Sequence, residues 1–207
     1  MTTQVDRLRA DPSNGYEAVA HEFIARRQQS GVGVQTVLAW ARNLPRGAAI
    51  LDLGCGFGMP ISAALMNAGN VIYGVEASPT LCAAFSENVP HARVACESVE
   101  QSSFFGRTFD GVLAWGLIFL LSRDSQVRLI ERIAALLEPN GRFLFTAPAE
   151  ECTWVDMLTG QTSQSLGKMT YKATIEAAGL VLGPGCIDEG ENHYYDVVKT
   201  TSIFAAL

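Results

Sequence analysis

The chain has 207 residues, of which 48% are hydrophobic and 17% charged. That is enough apolar material for the core of one globular domain, and it excludes a disordered chain. Lys and Arg total 15 against 21 Asp and Glu, a net charge of −6, which lacks the basic footprint of a general nucleic-acid binder.

The first residues, 1–14, read as a polar tail. Met1 to Asp11 has no apolar core of a signal sequence, and the longest apolar stretch, Gly111 to Leu121, is far too short to span a bilayer. A helix follows over Tyr16 to Gln28, with Val19, Phe23 and Ile24 on one stripe, and a second over Val34 to Asn43, stopped by Pro45. Residues 15–45 are thus expected to be helices capping the domain that fills 15–207. Ala48 to Leu53 reads as a buried strand, followed by a glycine-rich turn and a helix through Ala68. Val71 to Glu76 is the second strand, and Ser78-Pro79 starts the next helix, with Ser at the cap and Pro just inside. Ala92 to Cys96 and Phe109 to Trp115 are the third and fourth strands. Ser125 to Leu137 is an amphipathic helix ended by Pro139-Asn140-Gly141, and Arg142 to Ala147 is the fifth strand. Strands separated by helical crossovers predict a parallel sheet covered on both faces.

The end of the chain departs from this rhythm. Thr170 to Ala178 is helical, and Leu180 to Ile187 and His193 to Thr200 flank the acidic turn Asp188 to Asn192, which predicts an antiparallel hairpin. Between the fifth strand and that helix, residues 148–169 show no strong pattern and read as a lid or acceptor segment. The fold expected is a doubly wound, seven-stranded, mainly parallel α/β sheet with a C-terminal antiparallel hairpin. Five cysteines without a C-x-x-C pair and three scattered histidines predict neither a disulfide framework nor a metal site. A cytoplasmic protein is the expectation.

The strongest chemical signal is the run Ile50-Leu51-Asp52-Leu53-Gly54-Cys55-Gly56-Phe57-Gly58. A strand ends in an acid and enters glycines at alternate positions, where open parallel sheets bind ligands. A dinucleotide site of the G-x-G-x-x-G form needs its third glycine at position 59, which is Met59. Glu76 closes the second strand, Glu97-Ser98 follows the third, and Phe109-Asp110-Gly111-Val112-Leu113-Ala114-Trp115 forms the fourth. In this order the segments resemble the class I S-adenosylmethionine-dependent methyltransferases, whose first motif is an acid followed by three alternating glycines. The resemblance spans nearly the whole chain, from Tyr16 to Thr200.

It implies a Rossmann-like methyltransferase domain over 15–207 and S-adenosyl-L-methionine as cofactor. Asp52, Gly54, Cys55 and Gly56 would form the cofactor turn, Glu76 with Ala77 would receive the ribose hydroxyls, and Glu97 with Ser98 the adenine. Trp115 either packs on the cofactor or belongs to the core. In similar enzymes an N-terminal helix covers the cofactor, which singles out Tyr16 and Arg27. Arg27 either pairs with the methionine carboxylate or is a solvated arginine. If the acceptor arrives protonated, a base is needed, and His193 and Tyr195 are the candidates, with Tyr194, Asp156 and Tyr171 also near the expected pocket. Trp154, Met157, Leu158 and Tyr171 are expected to wall the acceptor if 148–169 folds over the site. Motifs of nucleic-acid, catechol and protein-arginine methylation are missing, so the expected acceptor is a small molecule with an oxygen or nitrogen nucleophile. The expected partners include no nucleic acid and no membrane, and the protein is expected to be a monomer or homodimer. The competing reading is a non-catalytic protein that binds S-adenosylmethionine or S-adenosylhomocysteine as a sensor or partner subunit.

Overall fold

The computed structural model describes residues 11–201. Its centre is a sheet built from β1 (Ala49–Leu53), β2 (Val71–Glu76), β3 (Arg93–Cys96), β4 (Phe109–Ala114), β5 (Leu137–Thr146) and β10 (His193–Val198). The strand order is β3-β2-β1-β4-β5-β10-β8, where β8 is Val181–Leu182, and β9 (Cys186–Ile187) pairs with the other end of β10. β1 to β5 run parallel and β10 runs antiparallel to β5. The order reverses between β1 and β4, which opens a crevice at their carboxyl ends.

Period-two alternation along the strands supplies both faces of the core. Leu51, Leu53, Val75, Val112, Phe143 and Phe145 face α5 (Arg123–Leu136) and α6 (Gly167–Ala177). Ile50, Ile72, Leu113 and Leu144 face the opposite layer of α2 (Val34–Ala41), α3 (Ile61–Asn67) and α4 (Pro79–Asn88). The sheet is therefore doubly wound, as its sequence pattern implied. Ser78 caps α4 by accepting from the Leu81 amide, with Pro79 at the first position. Ser122 caps α5 in the same way, so that helix begins at Arg123 rather than Ser125.

Several expectations shift. α5 ends at Leu136, and the Pro139-Asn140-Gly141 turn lies inside the irregular start of β5. The strand expected over Leu180 to Ile187 is interrupted at Gly183-Pro184-Gly185, because proline has no amide to continue the ladder, and it survives as β8 and β9. Residues 148–169 are not patternless: they contain an antiparallel hairpin of β6 (Glu151–Val155) and β7 (Thr162–Leu166). Residues 1–10 of the expected tail lie outside the described residues, whereas 11–14 form an ordered turn. Asp11 accepts there from the amides of Ser13 and Gly15 at 2.9 and 3.0 Å.

The N-terminal segment is tied to the sheet by polar bonds as well as packing. Glu17 accepts from the Ser78 hydroxyl and from the amide and hydroxyl of Thr80, at 3.1 and 2.7 Å for Thr80. Its carboxylate thereby sits at the start of α4, where the helix dipole favours a negative charge, and these bonds hold its pKa below the usual range. α1 (Ala20–Arg27) then lies with Phe23 edge-on to Phe57 of the glycine turn. Among the described residues, no helix is long and apolar enough to cross a membrane.

Candidate active site

A cavity of about 320 Å³ opens at the carboxyl ends of β1, β2, β3 and β4. Its floor is the turn after β1. Gly54, Gly56 and Gly58 there all have positive φ, at 65°, 55° and 80°, a region glycine enters without a steric penalty. The Gly54 and Cys55 amides both donate to the Val75 carbonyl, which fastens the turn to β2. Gly58 has a second constraint: a Cβ at that position would lie 2.5 Å from Val89 and 3.0 Å from Phe85. Gly58→Ala is therefore expected to lower unfolding free energy by roughly 3 kcal/mol, combining left-handed strain with overpacking. Urea denaturation checks this, and a loss below about 1 kcal/mol would contradict the rigid seat described.

Asp52 is 4% exposed beneath this turn and accepts from the Ser62 hydroxyl of α3. Burial pushes its carboxyl up to about 7, against the Ser62 bond that holds it down. Glu76, 7% exposed at the end of β2, uses one oxygen for the Gly56 amide at 2.9 Å and the other for the Ser78 amide at 2.8 Å. Burial raises its pKa also, while these amides pull in the other direction. Glu97 is half-buried at the end of β3, its amide donating to the Glu76 carbonyl, and Ser98 is buried beside it.

The roof comes from distant parts of the chain. Trp115 Nε1 donates to the Tyr194 hydroxyl at 2.6 Å, and that hydroxyl donates to Asp188 at 2.8 Å. The Arg27 guanidinium lies 4.1 Å above the Trp115 ring and donates to Val32 O and Ser30 Oγ. Burial lowers its pKa, while Tyr194, Asp188 and Glu189 act in the opposite sense. Tyr16 faces the cavity from the N-terminal side, its phenol pushed up by burial and by the charges of Asp156 and Glu76.

Every residue that the sequence assigned to the cofactor lines this cavity: Asp52, Gly54, Cys55, Gly56, Glu76 and Ala77 at its floor, and Glu97, Ser98, Trp115, Tyr16 and Arg27 around it. The base candidates are placed elsewhere. His193 and Tyr195 alternate with Tyr194 along β10 and turn to the opposite face, and neither lines the cavity. Tyr195 is 1% exposed and stacked on Phe145 at 4.6 Å, with His193 against it at 4.7 Å. Tyr171 is also core, donating to Gln126 at 2.7 Å. Of the expected acceptor wall, only Trp154 lines the cavity; Met157 is 97% exposed, and Leu158 lies outside the lining.

Sequence reasoning missed a second part of the wall. Leu117, Phe119 and Leu121, from the apolar run after β4, line the cavity opposite Trp154, and Phe119 meets Trp154 at 5.2 Å. Pro12, Ser13 and Asn14, read as tail, line it too. Among the described residues no cluster of three His, Cys, Asp or Glu is placed to hold a metal ion.

Residues 50–141 match a family model described as a methyltransferase domain. The chain has the Rossmann-like fold of solved S-adenosylmethionine-dependent methyltransferases. It is similar in structure to the 1,6-didemethyltoxoflavin-N1-methyltransferase of Burkholderia thailandensis, with 20% identity, 91% of each chain covered and a TM-score of 0.65. The CcbJ methyltransferase of Streptomyces caelestis has 17% identity over 92% of this chain and 98% of its own, with a TM-score of 0.73. A [4+2]-cyclase, SpnF, shares the fold at 14% identity over 81% of this chain and 82% of its own, with a TM-score of 0.65. No curated protein matches the sequence.

Proposed function

We propose that the protein transfers a methyl group from S-adenosyl-L-methionine to a nucleophilic atom of a small molecule. The observation that carries this is the convergence of the Gly54–Gly58 turn, Glu76 and Glu97 on one cavity at the ends of adjacent parallel strands. The residues fit the cofactor chemically. The glycines give the floor its positive-φ turn, and the Glu76 carboxylate retains lone pairs beyond those on Gly56 and Ser78, enough to accept two ribose hydroxyls. Glu97 would accept from the adenine amine and Ser98 would serve the ring through its backbone.

The charge pattern favours a sulfonium over a dinucleotide. A pyrophosphate at the start of α3 would meet Pro60, which has no amide hydrogen, and the buried acid Asp52 bonded to Ser62. The same acid beneath a cationic cofactor is attractive rather than repulsive. When bound, the cofactor supplies a methyl group already activated on a sulfonium sulfur. The protein's share is alignment and dryness: Trp154, Phe119 and Leu121 exclude water from the acceptor side, and Trp115 with Arg27 closes the roof.

Calorimetry with S-adenosylmethionine, S-adenosylhomocysteine and NAD tests the reading; binding of both adenosyl compounds and not NAD is expected. NAD binding without the adenosyl compounds would overturn it. The competitor is a non-catalytic protein that binds S-adenosylmethionine or S-adenosylhomocysteine as a sensor or partner subunit. A labelled-methyl screen against metabolite extracts separates the two.

A further inference from the structure

The Asp156 carboxylate has no part in the cofactor reading, yet it lines the same cavity. It stands where β6 turns toward β7, and its amide donates to the Gln161 carbonyl at 2.8 Å. Its Oδ1 accepts from the Leu158 and Thr159 amides at 3.0 and 2.7 Å and from the Thr159 hydroxyl at 3.0 Å. Those bonds fix the orientation of the side chain and fall on one oxygen. Tyr16 faces the carboxylate from the N-terminal wall, and burial together with the Asp156 charge keeps its phenol protonated.

The surroundings select the sign of a partner. The cavity carries Asp52, Glu76, Glu97, Glu100 and Asp156 against the single guanidinium of Arg27. Arg27 is held by Ser30, Val32 and the Trp115 ring, so it does not bond to Asp156. Asp52 is bonded to Ser62 and Glu100 to Ser125. Trp154 and Phe119 supply aromatic surface in the same cavity. A fixed carboxylate in an apolar-walled, acidic cavity binds a cation far better than a neutral hydroxyl, because charge-assisted hydrogen bonds are roughly twice as strong as neutral ones and an aromatic face adds cation–π attraction.

Resting on the methyltransferase reading, we propose that Asp156 anchors a positively charged nitrogen of the methyl acceptor, and that the acceptors are small amines with an aromatic or apolar body seated against Trp154 and Phe119. Asp156 is then a specificity-determining residue. The anchored nitrogen need not be the atom that is methylated.

The test uses protein saturated with S-adenosylhomocysteine and matched probes: 2-phenylethylamine against 2-phenylethanol, and tryptamine against tryptophol. Calorimetry is expected to show at least one amine binding about tenfold or more tighter than its alcohol. Asp156→Asn keeps the Oδ1 acceptor that closes the turn but removes the charge, and should erase the preference while leaving S-adenosylhomocysteine affinity unchanged. Tyr16→Phe, which keeps the carboxylate, should retain the preference. Equal binding of amine and alcohol by the wild-type protein, or a preference that survives Asp156→Asn, overturns the proposal. Should Asp156→Asn not fold, Asp156→Ser, which keeps a hydroxyl acceptor for the turn, takes its place, and the preference is expected to disappear there too. Failure of the wild-type protein to bind S-adenosylhomocysteine at all is visible in the first titration, and overturns the methyltransferase reading beneath the proposal.

Discussion

Glu76→Ala is expected to weaken S-adenosylmethionine binding by about a hundredfold or more, from the loss of two charge-assisted hydrogen bonds to the ribose at roughly 1.5–3 kcal/mol each. The structure adds a consequence for the fold. The same carboxylate holds the Gly56 and Ser78 amides, so alanine would orphan both in a buried place. A stability loss of about 3 kcal/mol follows on the usual cost of unsatisfied buried donors. The two effects separate with Glu76→Gln, which keeps the shape and part of the acceptor capacity. That variant keeps one of the two buried acceptors, so it is expected to lose about half as much stability as alanine, while binding the cofactor about tenfold more weakly. Unchanged cofactor affinity in Glu76→Ala would refute the ribose assignment.

The second large effect belongs to Asp52. Its carboxyl is pushed up to about 7 by burial, whereas in the unfolded chain it titrates as an ordinary aspartate. Protonation is thus favoured in the folded state, and the sign follows: the cofactor-free protein is destabilised as pH rises through the window from about 4 to about 7. Below that window both states are protonated and the penalty vanishes. Its size is on the order of 4 kcal/mol, or on the order of 10 °C in Tm for a chain of this length. His193, whose pKa is lowered chiefly by burial, works in the opposite sense as pH falls, so the comparison must be made against a variant. Asp52→Asn should match the wild-type protein near pH 3 and exceed its Tm near pH 8. Parallel Tm curves for the two proteins would show that Asp52 carries no such penalty.

What could be read from the sequence was what is local to a strand and the turn after it. Asp52, Glu76 and Glu97 each end a strand whose apolar pattern is clear, and parallel pairing alone brings such ends to one edge. What could not be read depends on long-range placement. β6 and β7 are mostly polar, with only every second residue of β6 partly covered, so no apolar face announced the hairpin that carries Asp156 and Trp154. Leu117 and Phe119 were not singled out, because an apolar run does not reveal which of its members meets a cavity. His193 and Tyr195 were misplaced for a simpler reason: in a strand, parity decides the face, and Tyr194 holds the position toward Trp115. Asp11 and Glu17 act through turns and a neighbouring helix, which composition reads only as polarity.

The bridge from Trp115 through Tyr194 to Asp188, with Arg27 laid over the indole, has a temporal consequence. During synthesis the glycine turn and its acids emerge early, and β1 to β4 are able to pair as soon as residue 114 is available. The lid over them waits for residues 188–194, some eighty positions later by the 79-residue separation of Trp115 and Tyr194. A nascent chain therefore holds an open, half-formed nucleotide cleft for much of its translation.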